Sequence, residues 1–245
     1  MNPLKSTAVA RLGSRLSPSG AWRDYEPPAS IPGQEENRRV SNALLPHLPS
    51  LRTIRREVQA KQVVCSKGDP GSHLFVVVTG RVKIAVPSED GREIVLDILE
   101  SGETFGEEAV LMGSEHAATA TAMERTELAI IDGAEFLRFL ERDPAAARAL
   151  LTTLCARLSS VTQLAEDLSF LPLPRRLAKT LLALGRTYGT QTPHGLQIGL
   201  HLCQQELANM VGTSRESVNK QLGAWQAEGL IGMEHGLITL RRLSG

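Results

Sequence analysis

Residues 204–222, QQELANMVGTSRESVNKQL, constrain the fold more tightly than any other stretch of this 245-residue chain. Leu207, Ala208 and Val211 recur on one face of a first short helix, and Val218 and Leu222 mark the buried face of a second. Gly212 stands between them, where the backbone must turn left-handed to end a helix. Thr213 and Ser214 can each cap the second helix through an oxygen, Thr213 as the head of a Thr-x-x-Glu box with Glu216. With the small Ala208 permitting a close crossing, this spacing predicts a helix-turn-helix, a unit that lays its second helix in the DNA major groove. Arg215, Glu216, Asn219 and Lys220 fall in the first two turns of that helix. An arginine donates a forked pair to guanine, and a glutamate accepts from cytosine. Lys220 and the hydroxyls of Ser214 and Ser217 suit phosphates or a further base. Thr213 lies at the turn, and Gln204 and Gln205 at the start of the first helix are candidates for phosphate contacts.

The run Ser214-Arg215-Glu216-Ser217-Val218-Asn219-Lys220 resembles the recognition helix of the Crp/Fnr regulators, usually Ser-Arg-Glu-Thr-Val-x-Arg. The resemblance implies that Arg215 and Glu216 read bases. Lys220 replaces the last arginine, so a forked contact becomes a point charge. Cys203 stands where a serine or threonine usually caps the first helix, and is a weaker cap.

Residues 57–132 read as short strands with glycine turns. Strands are expected over 74–78, 81–86, 93–99, 119–123 and 126–131, with 88–91 as a hairpin turn. This pattern predicts a small antiparallel roll. The segments 67–75, 80–82 and 102–108 resemble the opening turns and ligand cassette of a cyclic-nucleotide-binding roll, so that the likeness covers roughly residues 40–240. It implies that Glu107, after Gly106, holds a ribose hydroxyl, with Glu108 beside it on a short helix. Aligned backwards from Glu127-Leu128-Ala129, His116 and Ala117 take the places of the arginine and hydroxyl residue that grip a cyclic phosphate. No arginine lies between Glu103 and Met123. Cyclic AMP is therefore not the expected ligand. A roll kept as a scaffold, or tuned to another nucleotide such as cyclic di-GMP that inhibits DNA binding, fits better. His116 is expected on a surface loop without a role.

Asp132-x-x-Glu135 predicts a capping box for a helix over 134–141, and Asp143-Pro144 the start of a longer one. Leu151, Leu154, Leu158, Val161, Ala165 and Leu168 recur at alternating spacings of three and four, a heptad seam for a homodimer. Two recognition helices would then lie about 34 Å apart on a palindromic operator. Pro172 and Pro174 end the helix. A helix over 175–187, strands at 196–198 and 237–240, and a turn at His235-Gly236 complete a winged helix.

The fold class expected is α+β: a disordered tail over 1–36, an antiparallel β-roll (double-stranded β-helix) over 37–142, a dimerisation helix over 143–170 and a winged helix-turn-helix over 171–245. Leu44, Leu45, Leu48 and Leu51 suggest a short helical cluster at the start of the roll. Net charge is zero. Residues 171–245 hold eight Lys and Arg against four Asp and Glu, leaving nineteen against twenty-three elsewhere, so positive charge gathers at the DNA-binding end. Cys65, Cys155 and Cys203 are too few for an iron–sulfur cluster or a metal site and are expected to be buried, reduced thiols. Neither His73 nor Cys65 stands in a context that suggests haem. No phosphate loop, zincin or nucleophile-elbow motif is present, so no catalysis is expected. No apolar run approaches the ~18–20 residues of a membrane span, and no secretory leader is read. The expected setting is the cytoplasm, with double-stranded DNA and RNA polymerase as partners.

Overall fold

The computed structural model describes residues 45–234 and 236–241. The tail over 1–36, Leu44 and the turn residue His235 lie outside the described residues. Two compact units divide between residues 169 and 170.

The described part of the first unit begins with a 3-10 helix, Leu45–Ser50, where the leucine spacing suggests a short helical cluster. Eight strands follow: β1 (Ile54–Val58), β2 (Val63–Cys65), β3 (His73–Thr79), β4 (Val82–Pro87), β5 (Glu93–Leu99), β6 (Thr104–Phe105), β7 (Thr119–Ala122) and β8 (Thr126–Asp132). They form two antiparallel sheets, ordered β1-β8-β3-β6 and β2-β7-β4-β5. Strand β3 explains why its sequence is apolar without alternation. Phe75 and Val77 join a core drawn from both sheets, with Val58, Val82, Leu99 and Leu128. Leu74 and Val76 face the other way, into a cluster with Phe136, Ala146 and Leu150. A strand buried on both faces has no polar side to show.

Those last residues belong to helices. α1 (Glu107–Met112) is a short insertion between β6 and β7; α2 (Gly133–Arg142) and α3 (Pro144–Phe170) follow β8. Asp132 caps α2, accepting from Glu135 N–H at 3.0 Å. The expected reciprocal bond is absent among the described residues, because the Glu135 carboxylate accepts from Arg52 N–H instead. Asp143 caps α3 through Ala145 and Ala146 N–H, and its other oxygen lies 3.0 Å from His47 Nδ1.

The second unit contains α4 (Leu173–Tyr188), β9 (Gly189–Thr192), β10 (Gly195–Ile198), α5 (Gln204–Val211), α6 (Arg215–Ala227), β11 (Ile231–Glu234) and β12 (Leu237–Leu240). Its sheet is ordered β11-β12-β10-β9. Leu177, Leu181, Leu207, Val211, Val218, Leu222 and Trp225 are buried around the three helices.

Candidate nucleic-acid interface and the interior of the roll

The turn between α5 and α6 forms as the residues demand. Gly212 adopts φ 63°, and Thr213 N–H donates back to the Ala208 carbonyl. The cap of α6 is Ser214, whose hydroxyl accepts from Ser217 N–H at 3.2 Å. Of the two caps the sequence allows, Thr213 and Ser214, the helix uses Ser214, and Thr213 is half-buried in the turn. With Ser214 as the cap, Arg215, Glu216, Asn219 and Lys220 are exposed, with Ser217 half-buried between them. The Glu216 carboxyl is held below its usual range, first by its own backbone N–H, then by the Ser214 hydroxyl, with the Arg215 charge a smaller contribution. It is therefore an ionised acceptor, as base reading requires.

At the start of α5, Cys203 N–H donates to Glu206 Oε2 at 2.7 Å, so half of a capping box survives without a serine or threonine. Gln204 is half-buried. Gln205 is exposed, and its amide nitrogen already donates to Asn209 Oδ1 at 2.8 Å. Sequence reasoning passed over Arg176. Its guanidinium donates to the carbonyls of Val211 and Leu171, tying α4 to the last turn of α5. Arg176 lies four residues after Pro172 and two after Pro174, near the start of a helix.

Inside the roll, Gly106 is left-handed at φ 85° and precedes α1. A side chain there would collide with the His73 carbonyl oxygen at 2.8 Å and crowd Phe75 and His116. Glu107 is 2% exposed. Arg157, from α3, reaches it: one terminal nitrogen donates to Glu107 Oε1 and the other to the Thr104 carbonyl. Burial pushes the Glu107 carboxyl above its usual range, while the Arg157 charge opposes that shift and Glu108 adds to it. Glu107 Oε2 and Arg157 Nε are buried without a hydrogen bond among the described residues. The Thr104 hydroxyl lies near enough to Glu107 to lower its pKa but makes no well-formed hydrogen bond.

His116 is not the surface residue the sequence suggested. It is 5% exposed, its ring tilted against Phe75 at 6.4 Å and its Nδ1 3.8 Å from Glu108 Oε1. The loop after α1 is drawn inward by paired backbone bonds, His116 N–H to the Asp69 carbonyl and Gly68 N–H to the His116 carbonyl. Ala117, next to it, is exposed. The cysteines also depart from expectation: Cys65 is buried, its thiol pushed up to about 11 by desolvation, but Cys155 and Cys203 are exposed. No group of three or more metal-ligating side chains occurs among the described residues.

Along α3, Leu151 and Leu158 are 62% and 67% exposed, and Val161 and Ala165 are exposed too. Leu154 instead packs partly against the roll core, and Leu168 is half-buried.

Residues 55–143 match the cyclic nucleotide-binding domain model, and residues 175–245 match the Crp-like helix-turn-helix domain model. A CRP-like cAMP-activated global transcriptional regulator of Mycobacterium tuberculosis is 33% identical over 171 residues, covering 70% of this chain and 76% of the relative. The chain belongs to the Crp/Fnr family. Another Crp/Fnr relative, the cyclic AMP receptor protein of Thermus thermophilus, is 34% identical over 175 residues, 71% of this chain and 78% of the relative. The solved structure of the c-di-GMP-responsive global regulator CLP of Xanthomonas campestris superposes with TM-score 0.71 at 29% identity, covering 86% of this chain and all of that one. The fold is that of Crp/Fnr transcription regulators, an antiparallel roll, helices and a DNA-binding helix-turn-helix. No helix among the described residues is long and apolar enough to cross a membrane.

Proposed function

We propose that the protein is a homodimeric transcription regulator that reads a palindromic operator with the first two turns of α6. The observation that carries this reading is the exposed set Arg215, Glu216, Asn219 and Lys220, held on a helix whose other face is fully buried. Arg215 and Glu216 read bases. Ser214, Ser217 and Lys220 take phosphates or a neighbouring base, and Gln204, Gln205 and Thr213 flank them on the backbone. The exposed leucines of α3 form the seam between two copies. The domains act as a roll over 37–142, a seam helix over 143–170 and a reader over 171–245, in the cytoplasm and in contact with RNA polymerase. A small molecule acting through the roll meets Gly106, Glu107, Glu108 and His116; Ala117, being exposed, lies at the rim.

The test is selection of bound duplexes from a random pool, followed by binding of the Arg215→Ala and Glu216→Ala variants to the selected site. Each is expected to lose discrimination at one base pair of each half-site while remaining dimeric by sedimentation. Unchanged sequence preference in both would refute the assignment. A second reading is favoured by the likeness to CLP: the ligand is a nucleotide such as c-di-GMP, and its binding weakens rather than strengthens the grip on DNA.

A further inference from the structure

The side of α6 that holds Val218, Leu222 and Trp225 is closed by the core, and Arg215, Glu216, Asn219 and Lys220 are exposed on the other. At about 100° per residue, Arg215 and Lys220 stand about 140° apart and bound that arc, with Asn219 and Glu216 between them. Asn219 is therefore central to the exposed face. It occupies the one place that the run Ser-Arg-Glu-Thr-Val-x-Arg leaves open. No hydrogen bond engages its amide among the described residues, whereas the Gln205 amide donates to Asn209. A primary amide sets a donor beside an acceptor, and adenine N7 and N6–H offer the matching pair in the major groove. Arg215 only donates and an ionised Glu216 only accepts, so neither can make that pair.

Gly223, one turn after Asn219, has no explanation within the chain. It lies inside α6 with a right-handed helical backbone, where glycine costs stability relative to alanine. A Cβ at this position would meet nothing within 4 Å. Gly185, the other glycine inside a helix of this unit, is different: its Cβ would come to 2.9 Å from Leu196 Cδ2. Helical side chains lean toward the N-terminus, so a side chain at 223 would cover the ground beside residue 219. Without one, a base edge can reach the Asn219 amide from that side. Resting on the regulator reading above, we infer that Asn219 reads an adenine in each half-site, and that Gly223 is bare so that the DNA can close on that amide. Asn219 adds a third letter to those of Arg215 and Glu216. Gly223 acts by the room it leaves, and the helix stability lost there is offset by DNA, not by anything in the folded chain.

The experiment starts from duplexes selected out of a random pool by the full-length native protein. Each base pair of the selected site is then changed in turn, and affinities are measured for the native protein, Asn219→Ala, Gly223→Ala and Gly223→Leu. The native protein is expected to prefer A·T at one pair of each half-site by at least fivefold. Asn219→Ala is expected to lose that preference while keeping its preferences at the other pairs. Weakening that is uniform across all sequences marks a phosphate contact and overturns the inference, as does an A·T preference that survives in Asn219→Ala. Gly223→Ala is expected to melt no lower than the native protein, yet to bind the selected duplex at least threefold more weakly. Gly223→Leu is expected to bind at least thirtyfold more weakly. Native affinity in Gly223→Leu, or a lowered melting temperature in Gly223→Ala, overturns the assignment of Gly223. Native protein that selects no duplex refutes the regulator reading itself, which separates the two failures.

Discussion

Glu107 and Glu216 each lie near an arginine and begin from the same carboxyl chemistry, but the roll and the recognition helix shift them in opposite directions. In the roll, loss of water dominates, and the Glu107 carboxyl rises above its usual range despite the guanidinium beside it. On α6 nothing is desolvated to that degree. The backbone N–H of Glu216 and the Ser214 hydroxyl outweigh burial, and the carboxyl falls. The buried pair still leaves Glu107 Oε2 and Arg157 Nε without a hydrogen bond among the described residues; the exposed Glu216 is open to a partner from outside. An arginine beside a glutamate therefore says little about function until the water around it is counted.

The comparison breaks most visibly at Arg157. Replacing it with Met strands a buried carboxylate, and the roll is expected to lose about 3–5 kcal/mol, read as a lowered melting temperature. The pH dependence has a definite sign. A carboxyl whose folded pKa is raised above its unfolded value contributes stability that is full below the unfolded pKa and is lost as pH rises through the folded one. The Arg157→Met variant should thus recover part of its deficit on acidification below neutrality; a deficit that grows between pH 7 and pH 5 contradicts the assigned direction. Arg215→Ala, the exposed counterpart, should cost about 1–3 kcal/mol of discrimination at one base pair, while the melting temperature stays within the change expected of roughly 0.5 kcal/mol for an open surface site. The smallest effect expected is at Ser214→Ala, about 1 kcal/mol from the lost cap. It should appear as weaker amide-exchange protection in the first turn of α6, with the roll unchanged.

The two regions were also unequally legible in the sequence. The reader is local: Gly212, Ser214 and the apolar positions of α5 and α6 lie within nineteen residues, and each one's demand is met by its neighbours. Of the two caps the sequence allowed, Thr213 and Ser214, the helix uses Ser214. The roll's interior is built from distant parts of the chain. Glu107 and Arg157 are fifty residues apart, and no spacing rule joins a cassette glutamate to an arginine on a later helix. His116 followed the same logic. Its loop is pulled inward by backbone bonds to Gly68 and Asp69, so His116 is buried in a polar segment whose neighbours, Ser114, Glu115 and Ala117, stay exposed. Strands β1, β2, β6, β9 and β11 were missed because they are short or polar: Ile54-Arg-Arg-Glu-Val58 is an edge strand whose first four residues are exposed. The missed contact with the clearest signal in hindsight is Arg176, a basic residue near the start of a helix, where the helix dipole offers a cation nothing.

Gly106 carries one more lesson. What forbids a side chain there is a wall made of the His73 carbonyl and the rings of Phe75 and His116, together with a backbone turned to φ 85°. Every one of those obstacles belongs to the protein itself. Substitution at this position is barred whether the neighbouring space holds a nucleotide, another small molecule or an arginine from the chain. In an evolving lineage the glycine would therefore persist after the cargo had changed, much as a keyhole keeps its outline after the lock behind it is replaced. A cassette that still spells its ancestral motif records how the backbone was once bent; the cargo has to be identified from the charges that surround it now.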